Sequence, residues 1–322
     1  LLETCLASIA RHGRGDVPIE VIVVDDGSTD DTVSWTASRY PWARLIRRPK
    51  NGGFCQAANV GIAAARSEIV QVLNNDTEVT AGWVEAGLAA FDDPSVGSVA
   101  PLVLVRSDPT RVDSAGDCYA LLGWPYKRGH SEPATRWRSY PAGPVFGASG
   151  TGAFYRSSAL KHVGAFDALF GSYYEDVDLA FRLRWAGYTC RYAPECVILH
   201  EISATYVHTS SALQRRMARN AEIVFWSNLP ACHLLLGLAP HGAFTLAQFA
   251  WRAARGRAIP FLLGKLDALR LRREIARRRQ RHVGLCGGEM RGPHFPLTLA
   301  PLKASSNHLR RPGEASGRRG TA

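Results

Sequence analysis

The nine residues Gln71–Val79, QVLNNDTEV, set the frame for the whole chain: an apolar run from Ile69 to Leu73 passes into two amides and a carboxylate. Short β-branched runs bounded by polar residues form strands, and strand ends meet solvent and ligands. Asn74, Asn75 and Asp76 are therefore placed either to hold something or to close a turn through hydrogen bonds to their own backbone. The same succession occurs upstream. Glu20–Val24, EVIVV, is a continuous run of the kind buried on both faces of a parallel sheet, and it also ends in acids, Asp25 and Asp26, before Gly27 and Ser28. A helix is predicted over 30–39, with Ser28 or Thr29 as its cap and Asp30 and Asp31 at its positive end. Leu45 and Ile46 make a second short strand. The turn RRPKNGG and a helix of small residues over 56–65 lead back to the opening stretch.

Strand alternating with helix in this way predicts an α/β fold with a parallel, doubly wound sheet, whose ligands sit beyond the carboxyl ends of the strands. Asp25, Asp26 and Asp76 all fall at such ends. Further on, a helix is predicted over 83–91 and a strand over 99–105. Residues 108–144 show little periodicity and read as a long excursion over the active face. GASGTGAF then supplies a glycine-rich turn and a strand, and a helix follows over 157–162. Glu175 and Asp176 open another helix, which buries Leu179, Leu183 and Trp185 and stops at Gly187. Residues 191–194 and 197–199 are extended, and His200 closes them.

With 322 residues, 46% apolar and 21% charged, the chain has the composition of a globular protein and not of a disordered or polytopic membrane protein. The net charge of +11 is unevenly spread: residues 252–322 hold 17 of the 39 Lys and Arg but only 4 of the 28 Asp and Glu. A basic C-terminus suits an anionic membrane surface or nucleic acid, but no nucleic-acid motif accompanies it, so no nucleic-acid partner is expected and a nucleic-acid-binding protein is the weaker alternative. Seven scattered cysteines without a Cys-x-x-Cys pair read as reduced thiols of a cytoplasmic protein. No signal-peptide pattern opens the chain. It begins without Met inside a helical pattern, which leads us to expect further sequence upstream.

Toward the C-terminus a helix is predicted over 212–228. Residues 229–251 are apolar but interrupted by Pro230, His233, Pro240 and His241, a poor spanning helix. Residues 252–281 are basic and partly amphipathic, with Ile259, Phe261, Leu262, Leu266, Leu269 and Leu271 as the apolar set. They suit a peripheral site at the inner face of the plasma membrane, or packing on the body. Residues 282–322 read as disordered. The expected division is thus 1–211, 212–281 and 282–322.

Five motifs in order, VVDDGSTD, NGGFCQAANVGIAAA, LNNDTEV, GAFDALFGSYYEDVDLAFRLRWAGY and VILH, resemble the family 2 glycosyltransferases of GT-A fold. The likeness is greatest to the bacterial rhamnosyltransferase branch and covers about residues 1–230. It implies a Rossmann-like, mostly parallel sheet flanked by helices, without the family's first strand before Leu1. It also implies inverting transfer of a sugar, rhamnose in that branch, from a nucleotide-diphospho-sugar to a glycan or lipid-linked acceptor in cell-surface polysaccharide synthesis. The resemblance places the donor at Asp25, Asp26, Asn51, Gly52, Gly53, Asn59, Asn75 and Asp76, and a divalent cation (Mn2+ or Mg2+) at Asp76 and His200. Catalysis falls to Asp176 as base with Glu175 beside it, and the acceptor side to Gly150, Thr151 and Gly152.

Each position also has a structural reading. Asp26 caps a helix, Asn51–Gly53 form a plain turn, His200 packs, and Glu175 and Asp176 favour a helix N-terminus. Asn74 stands where many members have a first acid, which leaves one charge fewer at the cation. Because a missing central strand would leave buried backbone groups unpaired, a nucleotide-binding pseudo-enzyme or fragment is the alternative, and the chain alone is expected to be unstable or inactive.

Overall fold

The computed structural model describes residues 1–13, 15, 17–202 and 210–286. In chain order the elements are α1 (Leu2–His12), β1 (Ile22–Asp25), α2 (Thr32–Arg39), β2 (Arg44–Arg47), α3 (Phe54–Ala64), β3 (Ile69–Gln71), β4 (Thr77–Val79), α4 (Trp83–Leu88), β5 (Val96–Val105), β6 (Asp108–Ser114), β7 (Asp117–Ala120) and β8 (Trp124–Lys127). They continue as α5 (Ala134–Arg138), β9 (Gly143–Val145), β10 (Phe154–Arg156), α6 (Ser157–Val163), α7 (Glu175–Trp185), β11 (Thr189–His200), α8 (Ser211–Asn228), α9 (Ala231–Ala253), α10 (Ala258–Arg270) and α11 (Arg272–Gly284).

The sheet is built around β5, buried from Val96 to Leu104. Along the main path the order is β3-β10-β5-β11-β4, with β6 added on β5 and β9 on β11. Pairing is more mixed than strand–helix alternation predicts: β5–β11 is parallel, whereas β10, β4, β6 and β9 join antiparallel. The alternation that suggests a parallel sheet is confined to the first 73 residues, and there β1 and β2 do pair in parallel as a separate two-stranded unit. β11 bulges between Ala193 and Val197, starting opposite Pro101 of β5, which has no N–H for the ladder.

Three further expectations are corrected. The stretch 108–144 is structured: β6, the β7–β8 hairpin, α5 and β9. Its pieces are three to seven residues long and separated by left-handed glycines such as Gly116 (φ +96°) and Gly123 (φ +89°), so no window carries a readable period. The segment expected to break at its prolines is one helix, α9. Pro230 precedes its first turn, where the missing N–H is harmless. Around Pro240, buried Gly237 and His241 anchor the helix, His241 through Nδ1 to the Leu122 carbonyl at 2.9 Å and Nε2 to Glu222 at 3.0 Å. No helix among the described residues is long and apolar enough to cross a membrane. The expected disorder begins at 282, yet α11 runs to Gly284; the part from 287 on lies outside the described residues.

The C-terminal helices bear directly on α7. Trp185 donates from Nε1 to the Asn228 carbonyl (2.8 Å), Ile275 joins the main apolar core, and Arg278 of α11 is 1% exposed.

Candidate active site

Asp25 and Asp26 end β1 as expected, but their carboxylates are used differently. Asp26 accepts from the Gly52 N–H (3.1 Å) and Gly53 N–H (2.8 Å) and pairs with Arg48, so it anchors the turn before α3. Gly53 has φ +83°, a conformation that glycine adopts without strain. Asn51 closes the same turn by accepting from Gly53 N–H at 3.2 Å. Asp25 accepts from Ser28 N–H at 3.1 Å through Oδ1, while Oδ2 is buried without a hydrogen bond. Neither Ser28 nor Thr29 caps α2, which starts at Thr32 without a side-chain cap. Asn59 uses both ends of its amide on Phe166, donating to its carbonyl (2.6 Å) and accepting from its N–H (2.9 Å). That ties α3 to the loop before α7.

The run 74–76 turns the chain from β3 into β4, with the Thr77 hydroxyl donating to the Asn74 carbonyl at 2.6 Å. Asn75 is exposed. The antiparallel register of β4 on β11 pairs Thr77 with His200, so Asp76, far from His200 in sequence, lies beside it: His200 Nε2 is 3.4 Å from Asp76 Oδ1. Both residues are 8% exposed, and Asp76 Oδ1 makes no hydrogen bond among the described residues. A buried carboxylate oxygen that takes no hydrogen bond from the described residues and lies 3.4 Å from an imidazole nitrogen fits a cation site. Among the described residues no cluster of three or more His, Cys, Asp or Glu could hold a metal ion, so other donors would have to come from a ligand and water.

The glycine-rich loop joins this turn to α7. The Thr151 carbonyl accepts from Asn74 N–H (3.1 Å), the Gly152 carbonyl from Gln71 Nε2 (3.1 Å), and the Gly150 N–H donates to Asp176 Oδ2 (2.9 Å). A Cβ at Gly152 would come within 2.6 Å of Ile198, so the strap passes close over β11. Asp176 Oδ1 accepts from Val177 N–H at 2.8 Å. Burial pushes the pKa values of both acids at the start of α7 up. Glu175, which also faces the Asp176 charge and has a buried Oε2 without a partner, goes well above the carboxylate range. Burial raises Asp176 against the backbone N–H groups that favour its charged form.

Tyr173 and Tyr174, just before these acids, have φ of +69° and +73°. Side-chain-bearing residues in this region cost of order 1–3 kcal/mol each and need support from their surroundings. The support comes from α8: Asn220 Nδ2 donates to the carbonyls of Phe170, Ser172 and Tyr173 (3.1, 3.2 and 2.8 Å), and Arg219 to that of Leu169 (2.9 Å). One turn into α7, buried Asp178 is met by Arg182 (2.8 Å), Arg278 (2.6 Å) and Asn228 (2.9 Å), which together hold its carboxyl well below the usual range despite burial.

Sequence reasoning missed Asp113, Asp117, Lys127 and His130, all from the stretch that had seemed aperiodic. Fully buried Asp113 receives Lys127 Nζ on both oxygens (2.9 and 2.7 Å) and His200 Nδ1 on Oδ2 (2.9 Å). His130 Nδ1 meets the Asp113 carbonyl at 2.9 Å. These cationic neighbours keep the Asp113 carboxyl well below its ordinary pKa against the pull of burial. Burial alone would lower the pKa of His200, but the carboxylates of Asp113 and Asp76 raise it to about 9. Asp117 is raised well above the carboxylate range by burial and by the Asp176 charge.

A family model described as Glycosyl transferase family 2 matches residues 1–164. The chain is 32% identical over 229 residues to an N-acetylglucosaminyl-diphospho-decaprenol L-rhamnosyltransferase of Mycobacterium tuberculosis, covering 62% of this chain and 71% of the relative. A pre-mycofactocin glycosyltransferase of the same organism is 32% identical over 191 residues, 57% of this chain and 37% of its own length. Among solved structures, GalNAc-T7 with UDP, GalNAc and Mn2+ superposes with a TM-score of 0.53 at 14% identity, over 68% of this chain and 44% of that one. The mannosyltransferase PcManGT of Pyrobaculum calidifontis, with GDP-Man and Mn2+, gives 0.51 at 21% identity, over 88% and 80%. These structural likenesses establish the GT-A architecture. With the family model and the rhamnosyltransferase relative beside them, the conclusion is that the chain belongs to glycosyl transferase family 2 and is a glycosyltransferase.

Proposed function

We propose that the protein is an inverting, cation-dependent glycosyltransferase. It moves a sugar, rhamnose by analogy with its mycobacterial relative, from a nucleotide-diphospho-sugar to a hydroxyl of a glycan or lipid-linked acceptor in cell-surface polysaccharide synthesis. The observation that carries this reading is the strap 149–152, which bonds to Asn74 of the Asp76 turn on one side and to Asp176 on the other. It joins a place for the leaving diphosphate to a base.

Asp76 and His200 would hold the cation, and a bound Mn2+ or Mg2+ would supply positive charge against the diphosphate. Asp176 is the base. Two backbone N–H groups fix its carboxylate, and it lies in the first turn of α7, where the helix end favours a negative charge. Burial and the neighbouring Asp176 charge push Glu175 well above the carboxylate range, which leaves Asp176, fixed by two N–H groups, as the acid better placed to carry the negative charge. In the transfer the acceptor O–H gives its proton to Asp176, the freed oxygen bonds the anomeric carbon from one face, and the bond to the diphosphate oxygen breaks on the other. The Asp25–Asp26 and Asn51–Gly53 turns line the nucleotide side. Gly150, Thr151 and Gly152 line the acceptor side.

Residues 1–211 form the transferase unit and 212–281 an appendage that meets an anionic membrane surface at the inner face of the plasma membrane. Leu235, Leu236 and Leu246 of α9 and Ile259 and Leu269 of α10 are 60–71% exposed, on the sides of their helices opposite buried Gly237, His241, Phe261 and Ala268. Between them lie Arg252, Arg255 and Arg257. A screen of dTDP-rhamnose against UDP- and GDP-sugars by thermal shift, followed by transfer assays, tests the donor. Asp176→Asn should keep donor binding and lower turnover by 10²–10⁴-fold; wild-type turnover in that variant at saturating donor would sink the assignment. Flotation with phosphatidylglycerol vesicles but not phosphatidylcholine vesicles, lost in a Leu235→Ser/Leu236→Ser/Leu246→Ser variant, tests the membrane contact. Equal flotation of that variant would refute it.

A further inference from the structure

Asp113 is the most heavily engaged carboxylate near the candidate cation site, yet it is too deep to meet a ligand. It is 0% exposed, both oxygens are bridged by Lys127 Nζ, and Oδ2 also takes His200 Nδ1 at 2.9 Å. His130 Nδ1 reaches its main-chain carbonyl (2.9 Å) and lies 3.5 Å from Oδ1, so the element that carries Asp113 is itself fastened. Burying a carboxylate is expensive unless cations and hydrogen bonds surround it. Lys127 and Asp113 come from β8 and β6, and His200 from the end of β11, so three separate strands converge on one buried hydrogen bond.

An imidazole has two nitrogens with different fates. A nitrogen that donates to a buried carboxylate keeps its proton and fixes the ring plane, so a cation bound by the ring takes the place of a proton on the other nitrogen. Here Nδ1 faces Asp113 and Nε2 faces Asp76 Oδ1, 3.4 Å away. A His200 ring free to rotate would present Nε2 to this oxygen only part of the time. We propose that Asp113, held by Lys127, is a positioning residue that aims His200 Nε2 at the cation side of Asp76 and so sets the affinity for the divalent ion. The proposal rests on the cation reading of Asp76 and His200.

The test is titration of Mn2+ by electron paramagnetic resonance, alone and with UDP or dTDP, on the full chain. Removing Asp113 alone would strand Lys127, so the decisive pair is Asp113→Leu/Lys127→Met, which deletes the acceptor, and Asp113→Asn/Lys127→Met, which keeps an acceptor for Nδ1–H. The Leu version is expected to bind Mn2+ about 10–100-fold more weakly and the Asn version within about fivefold of wild type, with His200→Ala as the control. Equal affinity in the two double variants, while His200→Ala weakens binding, overturns the role of Asp113 and leaves the cation site standing. Wild-type affinity in His200→Ala, or no nucleotide-dependent Mn2+ binding by the wild type, overturns the cation reading and this inference with it. A second measurement needs no variant of Asp113. Long-range ¹H–¹⁵N spectra of wild type with Mg2+ and UDP or dTDP should show His200 protonated at Nδ1 with Nε2 perturbed by the ion, and a bare Nδ1 would refute the proposal.

Discussion

Arg278→Ala should cost about 3 kcal/mol of stability, although it removes one arginine from a helix that carries many. The guanidinium is 1% exposed and meets Asp178 at 2.6 Å and Asp167 on the loop before α7. Removing one partner of a buried ion pair leaves the other charge uncompensated, typically 3–5 kcal/mol. Two features place the effect at the lower end. Asp178 keeps Arg182 at 2.8 Å and Asn228 at 2.9 Å, and the Asp167 side chain is 31% exposed, so water takes over there. Arg277 and Arg281, on the same helix, have side chains 72% and 64% exposed and among the described residues pair with Glu274, so their alanine variants should each lose under about 0.5 kcal/mol. Urea unfolding followed by tryptophan fluorescence would read all three, with Arg278→Met separating lost charge from lost packing of the stem. Because Asp178 lies two residues from Asp176, the Arg278 variant should also lose turnover. A loss for Arg278→Ala no larger than for Arg277→Ala, at unchanged m, would refute the seating of α11 against α7.

Asn220→Ala should cost about 2–3 kcal/mol, since one buried amide serves three main-chain carbonyls, and should lower kcat more than it raises the donor KM; an unchanged kcat would separate the Tyr173–Tyr174 strain from catalysis. Burial holds His282 of α11 down at about 4, against 6.5 when unfolded. The unfolded chain then takes up a proton that the folded one refuses, so stability is full above pH 6.5 and falls by about 3 kcal/mol as pH drops toward 4. Urea titrations at several pH values should show this slope in wild type and not in His282→Gln, and equal slopes would disprove the burial argument. Gly152→Ala should cost about 1–3 kcal/mol by forcing its Cβ against Ile198, with impaired turnover as the strap lifts; a variant as stable and active as wild type would show that the strap can give way.

How far the sequence could be read depended on the length of its patterns. The strands Ile22–Asp25, Arg44–Arg47 and Ile69–Gln71 announced themselves because each holds an apolar run closed by polar residues, and the helix from Glu175 because acids open it and Gly187 follows its end. Asp113 and Lys127 could not be found that way. They lie on short strands cut by glycine turns, and one buried acid among exposed ones looks the same in a sequence as any surface acid. Asp26 and Asn59 show the opposite case. They stand where a ligand contact is expected, and in the structure they hold backbone: Asp26 the Gly52–Gly53 turn and Asn59 the Phe166 peptide. Such residues can matter to a donor site by shaping its walls without touching the donor.

The basic C-terminus makes the same point with energies attached. Read as a sequence, residues 252–281 are one cationic amphipathic stretch. In the fold their charges serve two different ends: Arg278 neutralises a carboxylate next to the proposed base, while Arg277 and Arg281 face water. The apolar residues divide likewise, with Phe261 and Ala268 turned inward and Ile259 and Leu269 outward. A helical layer in which α11 is anchored by a buried ion pair and α10 exposes Ile259 and Leu269 can couple the catalytic helix to whatever those residues meet. On that view, contact with a lipid surface and support of Asp176 are opposite faces of one helical layer, and disturbing Arg278 should weaken both.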